Sequence, residues 1–148
     1  MQMKRDRSVF LAEVFLRVAL AASFLSAVAD RFGMWGAPGE PGVAWGAWDP
    51  FVAYVGLLNW FAPAMLHEPL GWVATIAEVI LAIGLLIGWK LRWFAWASGA
   101  LLLVFAVTMT IATGIKSPLD YSVFTAAAGS FLLAAISKRL SSDETSIV

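Results

Sequence analysis

The chain contains no cysteine and a single histidine in 148 residues. The first absence excludes disulfides, thiol redox chemistry and thiolate metal sites. The second excludes a bis-histidine haem site or a multi-histidine metal centre built from this chain alone. Charge is also scarce: Asp, Glu, Lys and Arg make up 14% of the residues, and ten acidic side chains cancel ten basic ones. No global field therefore recruits a polyanion, and nucleic acid is not an expected partner. There is no Gly-rich phosphate loop, Ser–His–Asp set or Cys/His metal spacing. What fills the chain is apolar. Hydrophobic residues are 61% even without counting glycine, against about 45–50% with glycine included in an ordinary soluble domain. One soluble core of this size could not hide that much apolar surface. A soluble enzyme and a disordered regulator are thereby excluded as leading readings, and an integral membrane protein is expected.

A helix needs about 20 mostly apolar residues to cross the hydrocarbon layer. Four stretches qualify: Val9–Ala29, Leu70–Gly88, Trp93–Ala112 and Leu119–Ser137. The expected fold class is an all-α membrane protein, a four-transmembrane-helix bundle forming one domain over 1–140, followed by a polar tail at 141–148. The first span resembles a signal peptide, with Lys4, Arg5 and Arg7 ahead of it and Ala27-Val28-Ala29 at its end. Glu13 and Arg17 interrupt the apolar region such a peptide needs, so the span is expected to be retained.

Lys and Arg in the short connections set orientation. The N-terminus (Lys4, Arg5, Arg7), the second-to-third connection (Lys90, Arg92) and the tail (Lys138, Arg139) are basic, whereas the opposite side holds only Arg31 and Lys116. Both termini are expected in the cytoplasm, in a membrane of the bacterial inner type. Trp89, Trp93 and Trp96 would mark the cytoplasmic interface, and Trp35, Trp45, Trp48, Trp60 and Trp72 the outer one. Residues 31–69 form the one long connection, an extracytoplasmic cap rather than a floppy loop. Asp49-Pro50 suggests an N-cap followed by Pro at the first helical position, opening a short interfacial helix over Phe51–Phe61 that Pro63 ends. Gly84-x-x-x-Gly88 and Ala95-x-x-x-Gly99 supply the small residues that let membrane helices approach closely.

Glu13, Arg17 and Glu78 stand inside the spans, where a charge costs roughly 2.5–3.5 kcal/mol near the helix centre. Such groups face the bundle interior and find partners. Glu13 and Arg17 share a helix face at i, i+4 in the favourable acid-first order. Arg17 and Glu78 sit at comparable depths from the cytoplasmic end and are expected to pair, with Glu13 sharing the guanidinium. Two readings of this polar cluster stand: a salt bridge that fixes helix register, or a proton relay or anchor for a polar head group such as a quinone. Ser117-Pro118-Leu119-Asp120 matches a capping box for the fourth span, with Lys116 free to pair with Asp120 or to meet lipid phosphate. Asp30 and Arg31 fall at the outer interface, where ions are cheap. His67, Trp45, Trp48 and Trp60 are the candidates for contact with a partner or cofactor. No residue is expected to be catalytic, and no metal is expected in the chain alone.

With these positions in place, the chain resembles the DoxX family of small four-helix membrane proteins over nearly all of its hydrophobic region. The resemblance rests on Arg17 and the apolar run to Phe32-Gly33, on Ala77-Glu78-Val79 leading to Gly84-Leu85-Leu86-Ile87-Gly88, on Leu91-Arg92, and on the run from Gly114 through Lys116, Ser117, Asp120 and Tyr121 to Ser122. Where members commonly carry Gly and Lys late in the first span, this chain has Ser26-Ala27-Val28-Ala29-Asp30-Arg31. The resemblance implies a neighbourhood of quinone-reducing and other oxidoreductase assemblies. The function expected is a non-catalytic membrane subunit or scaffold of an electron-transfer complex, respiratory or photosynthetic, lining a quinone or lipid path. Its partners would be the bilayer and other membrane subunits, and any quinone, lipid or pigment would be shared with them, since electrons would have to belong to a bound cofactor or another subunit. The alternatives are a stand-alone small-molecule or quinone binder using the intramembrane Arg/Glu site, and a folding or assembly factor.

Overall fold

The computed structural model describes the backbone of residues 7–145 and the side chains of 7–137, and every described element is helical. Lys4 and Arg5, and the last three residues of the tail, lie outside the described residues, as do the side chains of Lys138 and Arg139. The elements are α1 (Arg7–Arg31), α2 (Trp48–Leu58), α3 (His67–Ile87), α4 (Leu91–Thr113), α5 (Lys116–Asp120) and α6 (Val123–Thr145), with a single 3-10 turn, Ala64–Leu66, leading into α3. Among the described residues, three helices are long and apolar enough to cross a membrane: Arg7–Arg31, Ala64–Ile87 and Leu91–Thr113. The apolar part of α6, Val123–Ser137, is shorter. The helix itself continues through Thr145, so residues 141–145 of the expected polar tail are helical.

α1 packs along α3 and α4 along α6, while contacts between α3 and α4 and between α1 and α6 join the two pairs. Leu20, Ala21 and Phe24 of α1 meet Leu81, Ala82 and Leu85 of α3, Ala95 of α4, and Leu133 and Ala134 of α6 in one core. Ala21, Ala82 and Ala95 are completely buried; with only a methyl each, they let neighbouring backbones close up, which is what holds helices together where lipid removes the hydrophobic drive. Ser98 and Ser130 are buried too, and each spends its hydroxyl on a carbonyl of its own helix, at Phe94 and Ala126. The large side chains left outside, among them Ile76, Ile80, Ile83, Val104 and Ile111, are apolar. A surface of that kind suits hydrocarbon.

Two local expectations are corrected. α2 begins at Trp48, so Asp49 and Pro50 lie in its first turn, and the residue before the helix, Ala47, contributes no side-chain cap. Pro is tolerated there because first-turn N–H groups have no intrahelical acceptor. α2 also stops at Leu58, where both the backbone N–H and the side-chain amide of Asn59 donate to the Val55 carbonyl. The capping box at Ser117 does not form. Ser117 is already helical within α5, Asp120 is instead ion-paired with Lys116 on an exposed surface, and the chain turns at Ser122 (φ 55°) before α6 begins at Val123. A serine inside a helix cannot adopt the extended backbone that an N-cap requires.

Candidate polar site at the cap

α1 and α3 run antiparallel, and their charged residues are consumed at two levels. At the end where α3 stops, Gly88 takes the left-handed conformation (φ 78°) that closes a helix C-terminus. The carbonyls of Leu85 and Leu86 have no donor of their own helix to meet. Arg17 supplies one: its Nε donates to Leu85 O at 2.8 Å and its Nη2 to Leu86 O at 2.9 Å. The guanidinium occupies the space where a side chain at position 88 would begin, which glycine leaves open. Its charge also complements the negative end of the helix dipole. The buried Glu13 lies one turn back, with Oε1 3.8 Å from Arg17 Nη1.

At the other level, Arg31 closes α1 and points into the bundle. Its Nη2 donates to Glu78 Oε1 at 2.8 Å and its Nη1 to Thr75 Oγ1 at 2.7 Å, and the Thr75 hydroxyl donates onward to the Gly71 carbonyl. Arg31 is 3% exposed and Glu78 2%. α2 and the loop leading into it roof this pair: the guanidinium carbon lies 4.0 Å from the centre of the Phe51 ring and 5.5 Å from that of Trp45. A cation over an aromatic face gains most when desolvated, as it is here. Trp48 extends the roof, packing on Phe32, Phe51 and Trp72. Next to Arg31, Asp30 accepts the N–H groups of Ala44, Trp45 and Gly46 at 2.7, 3.2 and 2.9 Å. That carboxylate ties the Gly- and Trp-rich loop to the end of α1 and sets Trp45 over the guanidinium. Gly46 (φ 67°) is required at this crossing, since a Cβ there would stand 2.5 Å from the Pro38 nitrogen.

The expected pairing of Arg17 with Glu78 is thus replaced by Arg31 with Glu78. Side chains on a helix lean toward its N-terminus. In antiparallel neighbours, Arg31 therefore leans toward Glu78 and Glu78 toward Arg31, whereas Arg17 leans away, to the end of α3. The helix ends are not flush either: Arg7–Leu16 of α1 runs past the level at which α3 stops. Glu78 lies eight residues, about 12 Å, from Leu86. Of the expected polar cluster, the structure brings together Glu13 and Arg17 and sets Glu78 apart.

Trp45 and Trp48 belong to the roof, but the other two contact candidates do not. His67 opens α3, half-buried, with its ring against Gly56 and Nε2 3.2 Å from the Ala62 carbonyl. Trp60 is 70% exposed beside Phe61. Tyr54, on α2 outside the spans, is half-buried against Trp45, and burial pushes its phenol above the ordinary tyrosine value, with Tyr121 adding to the effect. Sequence reasoning passed over Asp30, Arg31, Thr75 and Phe51. The available signal was the i, i+3 spacing of Thr75 and Glu78, which places both on one face of α3 opposite a span end carrying an otherwise unpartnered arginine. Three buried polar atoms in this region have no hydrogen-bond partner among the described residues: Glu78 Oε2, Arg31 Nε and Trp48 Nε1. Among the described residues, no group of three or more His, Asp or Glu side chains is placed to hold a metal ion.

With this geometry in view, comparison with known proteins returns one family, described as Methylamine utilisation protein MauE, over residues 7–122. The match begins with α1 and ends just before α6. No curated protein matches, and no solved structure does. The chain belongs to the MauE family. The DoxX resemblance is not what this comparison returns; the coarser expectation, a family of small membrane proteins, is consistent with it.

Proposed function

We propose that this MauE family member is a non-catalytic multi-pass accessory of a membrane electron-transfer system for amine utilisation, acting as a scaffold for other membrane subunits. In this reading α6 is the fourth span, both termini are cytoplasmic, and the α2 cap faces outward in a membrane of the bacterial inner type. The observation that carries it is the use to which the buried charges are put. Arg17 closes the end of α3, Arg31 and Glu78 clamp α1 to α3, and Asp30 ties down the cap loop. Groups held this way determine helix register and cap position, which is what a scaffold must keep constant. The exposed aromatic and apolar residues of the cap, including Trp35, Trp60, Phe61 and Met65, supply surface for lipid or partner helices. The DoxX-like features support the same neighbourhood of oxidoreductase assemblies, with quinone, lipid or pigment shared at the interface. The test is gentle detergent extraction of the tagged full chain, followed by mass measurement and an absorption spectrum. Co-purification with a pigmented or haem-bearing complex supports the scaffold; a colourless particle of the chain alone counts against it.

A second reading is favoured by one observation. The unused Glu78 Oε2, Arg31 Nε and Trp48 Nε1 offer both an acceptor and donors under the aromatic roof, as a stand-alone binder of a small hydrogen-bonding molecule would need. Retention of such a molecule by the colourless particle, lost in Glu78→Gln, would select it.

A further inference from the structure

The ion pair of Arg31 and Glu78 is only half hydrogen-bonded, and the unfinished half has a definite chemical character. Arg31 commits Nη1 to the Thr75 hydroxyl and Nη2 to Glu78 Oε1. Thr75 has its one proton on the Gly71 carbonyl, so it has nothing left to give the second carboxylate oxygen. What remains is one donor, Arg31 Nε–H, and one acceptor, Glu78 Oε2, neither with a partner among the described residues. Both side chains are almost wholly buried, and polar groups so placed are ordinarily paired. Nε shares a carbon with Nη2, and Oε2 shares one with Oε1, so the leftover donor and acceptor flank the same 2.8 Å contact. The Phe51 ring covers a face of the guanidinium at 4.0 Å, which leaves its edge, where Nε–H points, for anything that binds.

That pair of atoms selects its ligand. Arg31 repels a cation and Glu78 an anion, and the neighbouring Asp30 is spent on the amides of Ala44, Trp45 and Gly46. A carbonyl or ether oxygen only accepts, so Glu78 Oε2 would stay unpaired. An ammonium only donates, so Arg31 Nε–H would stay unpaired. A hydroxyl oxygen does both at a single atom. It is also small enough: two hydrogen bonds of about 2.8 Å let one oxygen bridge groups that flank a single contact. Buried water occupies such places in folded proteins, bonded to polar groups that otherwise lack a partner.

We propose that Arg31 Nε and Glu78 Oε2 together hold one neutral hydroxyl oxygen, of water or of a small alcohol, which accepts from the first and donates to the second. The proposal deepens the second reading above and rests on it for a ligand under the aromatic roof. The test is proton NMR of the full chain in detergent, with isotope-labelled arginine. The Arg31 Nε–H signal is the one missing from Arg31→Lys; if that variant does not fold, single Lys replacements at the other arginines identify it by elimination. In rotating-frame spectra, which separate contact from exchange, this proton should show a cross-peak to a slowly leaving water. If an alcohol is the source, labelled methanol should remove that peak and replace it with one to the methanol methyl group. Replacement of the water peak by one to labelled acetone or labelled methylammonium would overturn the hydroxyl assignment and leave the second reading standing. Cross-peaks to protein protons alone would show the ion pair closing on itself, and would overturn both.

Discussion

Arg31 and Glu78 meet at 2.8 Å, joining the last residue of α1 to the middle of α3 with both side chains almost wholly buried. Desolvating two charges is costly, and the mutual attraction offsets that cost only with good geometry and further hydrogen bonds. Thr75 and the Phe51 and Trp45 rings supply further contacts to the guanidinium. Removing one partner strands the other in a medium that cannot solvate it. Arg31→Met or Glu78→Gln alone should therefore cost about 3–5 kcal/mol, and the double change should cost less than the two losses added. Thermal unfolding of the four proteins in one detergent checks this. Strict additivity would show that the pair is not coupled.

Arg17 should behave as a helix cap and not as the partner of Glu78. Arg17→Ala leaves the carbonyls of Leu85 and Leu86 without a donor, a loss of about 1.5–3 kcal/mol for hydrogen bonds to a charged group. Its effect should add to that of Glu78→Gln, because the two contacts are separated by about 12 Å along α3. A coupling between positions 17 and 78 comparable to that between 31 and 78 would refute the assignment.

Asp30 should hold the cap loop and not the bundle. Asp30→Asn retains one acceptor oxygen but loses the charge that gathers the N–H groups of Ala44, Trp45 and Gly46. Hydrogen exchange at those amides should accelerate at least tenfold, the equivalent of about 1.4 kcal/mol, while amides of α4 keep their protection. Unchanged exchange at residues 44–46 would remove Asp30 from this role.

The raised phenol of Tyr54 makes a pH prediction. A tyrosine that holds its proton more tightly in the folded state contributes stability that is complete below the ordinary value near 10 and is lost as pH rises through the folded one. In Tyr121→Phe, where Tyr54 is the remaining tyrosine, the phenolate absorbance should rise with a midpoint above 10. Unfolding temperature should fall more steeply over that window than in Tyr54→Phe. A midpoint at or below the ordinary value would contradict the burial.

The topology proposed above can be tested without background, because the chain lacks cysteine. A single Cys at Pro41 should react with an impermeant thiol reagent in intact cells, and one at Ser8 should react only after lysis. The reverse pattern would invert the orientation.

The outlines of α1, α3 and α4 and the presence of a short helix in the cap were legible from hydropathy and from Pro and Gly punctuation. Those signals are local: whether a stretch of about 20 residues prefers hydrocarbon depends on its own side chains and little on its neighbours. The apolar composition determined the all-helical class for the same reason, since an intramembrane backbone must satisfy its hydrogen bonds within the segment. The partners of the charged residues were decided only by tertiary structure. They depend on how far α1 slides past α3, on the direction in which antiparallel side chains lean, and on the end of α3 needing a donor that Arg17 was near enough to give. Asp30 and Arg31 stand at the rim of a span, where ions cost little, yet the cap folds back over them and makes them among the most buried charges described. The capping box at Ser117 failed in the same way. A four-residue pattern carries no information about the turn at Ser122, which is placed by how α5 and α6 pack rather than by the residues that precede it.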